Sequence, residues 1–134
     1  MTVQRIPVSI GNAETPTIFK IINLETDASP EALAVLHSLF ANGITERVVD
    51  SMPEGNFREV MYHNGVIDPQ EQAILSLCAH RDIDVEAVKV GYRYYGESFD
   101  HIYVNKLVHV AYSEEPELET LKPRGIRQEM HYYD

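Results

Sequence analysis

Val85–Tyr95 is the segment that most constrains the fold, because its side chains alternate at period two over the length of a long strand. Val88, Val90, Tyr92 and Tyr94 fall on one face, and Lys89, Gly91 and Arg93 on the other. A face carrying two tyrosines is amphipathic and suits a surface that meets another sheet. Upstream, Phe57–His63 alternates as a second strand and breaks at Asn64–Gly65. Between the two strands, Asp68-Pro69-Gln70-Glu71 starts a helix with an acidic cap, Pro at the first position and Glu where a capping box places it. Ala73, Ile74, Leu77 and Cys78 form its apolar stripe, and His80–Asp84 ends it. Downstream, Ser98 caps an expected third helix in which Phe99, Ile102, Tyr103 and Leu107 share a face, followed by a short strand over Val108–Tyr112. Arg58–Glu115 therefore predicts a compact strand–helix–strand–helix unit.

A shorter version precedes it. Thr17–Leu24 is a strand, and Ser29, Pro30 and Glu31 open a helix whose Leu33, Leu36, Leu39 and Phe40 share a face. Asn42–Gly43 stops that helix, and Ile44–Val49 reads as a short strand. The turn-forming run 50–56 is the internal boundary. Thr17–Arg47 and Val88–Glu115 share an order of strand, acidic turn, capped helix and terminal strand. The chain thus divides into an arm or short edge strand over 1–16, a half unit over 17–50, a full unit over 57–115, and an acidic tail or linker over 116–134. The end of that tail, Ile126–Asp134, is read as a further strand or docking segment. The expected class is α+β, an antiparallel sheet with helices on one face.

Charge and composition exclude several functions. A net charge of −10 repels phosphate backbones, so nucleic acid is not an expected partner. Lys122, Arg124 and Arg127 offset the nearby acids of the tail. No apolar run approaches the roughly 18 residues of a membrane span, and a single cysteine cannot form an internal disulfide, so a cytoplasmic protein is expected. The six histidines, His37, His63, His80, His101, His109 and His131, show no metal-ligand spacing. Cys78 lies on an apolar helix face and reads as core. No nucleophile elbow or phosphate-cradling loop is present, and no catalytic, metal or cofactor residue is assigned. Gly91 marks either a bulge or close backbone approach, or a contact for a neighbouring chain. Eight tyrosines without tryptophan can make an aromatic docking surface.

Two motifs carry a resemblance. Gly65-Val66-Ile67-Asp68-Pro69-Gln70 with Ala73-Ile74, and Val85-Glu86-Ala87-Val88-Lys89-Val90-Gly91, are similar to the strand-to-helix turn and the long strand of the PurS family, the small subunit of phosphoribosylformylglycinamidine synthase. Glu71 departs from the family's frequent Gly, and Tyr92 from its frequent Lys. A half unit before a full one also resembles the PurS-like N-terminal domain of large PurL enzymes. The resemblance covers roughly 17–115. It implies an assembly module of purine biosynthesis, a homodimer or a complex with PurL-like ligase and PurQ-like glutaminase components of an ATP-dependent amidoligase. It carries no catalytic residues of its own. Asp68, Lys89, Gly91, Tyr92 and Tyr94 are the interface candidates. The alternative is a regulatory small-molecule domain using Gly65 and the turn Val66–Asp68. A small enzyme would rest on His80, Asp82 and Asp84.

Overall fold

A computed structural model describes residues 2–41, 43–64, 66–118 and 121. The elements run β1 (Thr2–Ile10), β2 (Ile18–Thr26), α1 (Pro30–Phe40), β3 (Glu46–Val48), β4 (Phe57–Tyr62), α2 (Pro69–His80), β5 (Val85–Tyr95) and β6 (His109–Tyr112). The six strands form one antiparallel sheet in the order β3-β1-β2-β5-β4-β6. That order consists of two three-stranded halves in mirrored sequence, joined where β2 pairs with β5. The α+β class is as expected from sequence.

Both helices begin as their sequences dictate. Ser29 accepts a hydrogen bond from the Ala32 N–H, and Asp68 accepts one from the Gln70 N–H, each ahead of a Pro in the first turn. Both pack on the same face of the sheet. Leu36, Phe40 and Cys78 join Ile6, Val8, Ile22, Leu24, Val88 and Val90 in one buried core. Burying a side chain such as Leu36 contributes about 1.5–3 kcal/mol, so this cluster is the main source of stability. No described helix is long and apolar enough to cross a membrane.

Three regions depart from the sequence reading. Residues 2–10, expected within an arm or as a short edge strand, form the nine-residue β1, flanked by β2 and β3. Pro7 argues against an inner strand because it lacks a donor. Its carbonyl accepts from the Val49 N–H just past the end of β3, so its donor-less nitrogen faces that end of the ladder and not β2.

The expected third helix is absent: 96–108 is an irregular crossover from β5 to β6. Single turns close at Phe99–Ile102 and Asn105–Val108 without joining. Asn105 uses its side chain to accept from the Leu107 N–H, while its own N–H donates to His109 Nδ1. Such local bonds, with β-branched Ile102 and Val104 alongside, outcompete a helix of this length.

The start of the tail also differs, because Pro116 and Leu121 are buried, and the Leu121 N–H donates to Glu25 Oε1 at 2.6 Å. Asn42, Gly65, Lys122, Arg124, Arg127, His131 and the segment Ile126–Asp134 lie outside the described residues.

Candidate functional site

Strand pairing puts Arg5, Asn23, Glu59, Lys89 and Arg93 on the sheet face away from the helices. Apolar residues share that face: Phe19, Ile21 and Met61 are buried beside the charged ones. The Glu59 side chain is fully buried and is gripped twice. Arg5 Nη2 lies 2.8 Å from both of its oxygens, and Arg93 donates to Oε1 from Nε at 2.9 Å and Nη2 at 2.7 Å. Arg5 Nη1 also donates to Asn23 Oδ1 at 2.9 Å, and Arg93 Nη1 to the Tyr95 hydroxyl at 3.3 Å. Glu115, beyond β6, completes the group by accepting from Arg5 Nε at 3.1 Å and from Arg93 Nη2. Phe57 lies under the Arg93 guanidinium, 3.9 Å from carbon to ring centroid. Burial works against the Arg93 charge, but the bonds to Glu115, Tyr95 and Glu59 outweigh it and hold its pKa above the usual arginine value.

A second polar group forms where β4 stops short and the start of α2 lies beside β5. The Lys89 ammonium donates to Asn64 Oδ1, and Asp68 and Glu71 are buried near it. Glu71 does not complete a capping box with Asp68. Its carboxyl lies near the Val90 backbone of β5, and Oε1 is buried without a partner. Burial, reinforced by the charge of Asp68, pushes the Glu71 carboxyl up to about 7 despite the nearby Lys89. Desolvation lowers Lys89 to about 8, with Glu71 opposing that shift. Lys89, Glu71 and Asp68 are therefore one coupled unit that ties the helix start to the central strands.

The five sequence candidates divide accordingly. Asp68 and Lys89 belong to this buried unit and are poor contact points for a partner. Gly91 marks a close approach: a Cβ there would sit 3.2 Å from both Met61 Cβ and the Val60 carbonyl. Tyr92 and Tyr94 lie half-buried on the helix-covered face, and Tyr92 exchanges hydrogen bonds with Gln70 at the start of α2. Nearby, Lys20 and Ile22 of β2, Leu39 and Phe40 of α1, and Ala73, Ile74 and Leu77 of α2 line a groove of about 250 Å³. His80 at the end of α2 and Asp82 and Asp84 just after it are exposed, and the described residues hold no group of three or more His, Cys, Asp or Glu able to bind a metal. Cys78 is buried in the core, where desolvation raises its thiol pKa.

Arg5, Glu59 and Glu115 were not singled out by motif or period. Their only sequence trace is a charged residue inside an apolar strand, as at Glu59 in FREVMY. No family model, curated protein or solved structure matches the chain.

Proposed function

We propose that this chain is a non-catalytic assembly module, bridging the ligase and glutaminase parts of a phosphoribosylformylglycinamidine synthase as its PurS-like motifs imply. The mirrored order β3-β1-β2 and β5-β4-β6 is the observation that carries this reading. A chain that mimics a pair of related units needs two like halves joined along a central strand pair, and β2 with β5 supplies that join. Docking through sheet edges has little to work with, since β3 and β6 are three and four residues long. The groove between the helices, with Leu39 exposed along it, offers the larger apolar contact.

The test is reconstitution with PurL-like and PurQ-like chains. Adding this protein should raise glutamine-dependent amidation of the formylglycinamide substrate and leave ammonia-dependent amidation unchanged. Failure to bind either component, together with no effect on glutamine-dependent turnover, would sink the proposal.

The same groove favours one second reading, a regulatory small-molecule domain, because Gln70 and Lys20 place polar groups among its apolar walls. A thermal-shift screen of amino acids and purine intermediates separates the two, since an assembly module shows no saturable shift.

A further inference from the structure

The charged group on the helix-distal face has one exposed member. Glu59 has no side-chain exposure, Arg93 has 4% and Arg5 has 16%, whereas Glu115 has 56%. The buried part is not neutral, because two guanidiniums surround one carboxylate and leave a single positive charge. Leaving that charge unpaired is costly at such depth. Glu115 supplies the missing negative charge from an irregular segment, and its two oxygens divide between Arg5 Nε and Arg93 Nη2. Two fixed guanidiniums offering one donor each are a standard means of recognising a planar carboxylate.

We infer that Arg5 and Arg93 form a carboxylate-binding site whose resident occupant is the chain's own Glu115. This goes beyond the assembly role and stands independently of it. The site is held without its occupant: Glu59 bonds both guanidiniums, Asn23 holds Arg5, and Tyr95 and Phe57 hold Arg93. The segment bearing Glu115 has anchors of its own at buried Pro116 and at Leu121, whose N–H is bonded to Glu25. The half-exposed Glu115 side chain can therefore rotate into solvent while the backbone stays in place. An outside carboxylate then takes the same two donors. It competes against a tethered group with an effective concentration on the order of millimolar, so weak free carboxylates lose in the wild-type chain.

The experiment is chemical rescue in the full chain. Thermal unfolding of Glu115→Ala is followed in sodium formate, acetate, phosphate and chloride at matched ionic strength. Glu115→Gln serves if the alanine variant does not fold. The variant should melt several degrees below wild type, and formate or acetate should restore at least half of the loss with a saturating dose response. Chloride should not restore it, and the shift of wild type in each salt, which reports the general effect of that anion, is the baseline from which rescue is read. Adding Arg5→Gln should abolish the rescue. The inference is overturned if no carboxylate-specific shift appears, if wild type shows the same shift, if the rescue survives loss of Arg5, or if phosphate rescues and carboxylates do not.

Discussion

The two faces of this sheet are covered in opposite ways. One carries two capped helices over a core of Ile, Val, Leu and Phe, whereas the other carries Arg5, Asn23, Glu59, Lys89 and Arg93 among apolar neighbours, with Glu115 and Leu121 bonded to it. Apolar packing is non-directional, so the helical face accepts any shape-compatible side chains and leaves a groove between the two helices. The charged face has no such tolerance. Each buried group there is affordable only with its partner in place, so removing one member strands another.

Breaking the charged face at its centre tests this contrast most severely. Glu59→Ala leaves two guanidiniums without their shared carboxylate, and urea unfolding should show a loss of about 3–5 kcal/mol. Leu36→Ala makes the corresponding change on the helical face and should cost about 3 kcal/mol. Leu36→Ala should keep the wild-type dependence on salt, while Glu59→Ala should change it, because the first removes only apolar contacts and the second removes a buried charge. Equal salt dependence in both would remove the distinction between the faces.

The next effect in size is a pH dependence centred on Glu71. Its folded pKa of about 7 lies above its ordinary value of 4.5, so its proton stabilises the fold fully below 4.5, and that contribution is lost as pH rises to 7. Lys89, lowered from 10.5 to about 8, acts in the other direction, with stability regained as pH rises from 8 to 10.5. Glu71→Gln should remove the acid limb. The stability of wild type minus that of the variant should fall by on the order of 2 kcal/mol between pH 4.5 and 7. A difference that is flat with pH would show that folding leaves the Glu71 pKa unshifted.

The smallest effects are at the helix starts. Asp68→Ala should cost about 1–2 kcal/mol, because this cap is buried and also lies beside Glu71. Ser29→Ala, at an exposed cap, should cost about 0.5–1 kcal/mol. The ratio of the two measures how far the buried polar unit adds to ordinary capping, and equal losses would show that it adds nothing.

Local signals suffice where the chain makes its own decisions. The strand Val85–Tyr95 and both helix starts follow from alternation, a capping side chain and an adjacent Pro, all within a few residues. The two faces of β5 follow for the same reason, which is why Lys89, Gly91 and Arg93 were placed together correctly. Such signals do not suffice where a distant partner decides. Pro7 disqualifies an inner strand until the short reach of β3 shows that its missing donor costs nothing. The run 98–107 has helical spacing, but Asn105 and His109 satisfy the backbone another way.

By itself, then, the sequence determined an α+β chain with two capped helices, a long strand over Val85–Tyr95 and a net charge of −10. The tertiary structure alone decided that β1 completes a second three-stranded half. It also decided that Arg5, Glu59, Arg93 and Glu115 converge, although Arg5 and Glu115 stand 110 positions apart. The physical reason is range. Periodicity and caps act within a few residues, whereas a buried charge is satisfied by whatever the sheet register brings across from other strands.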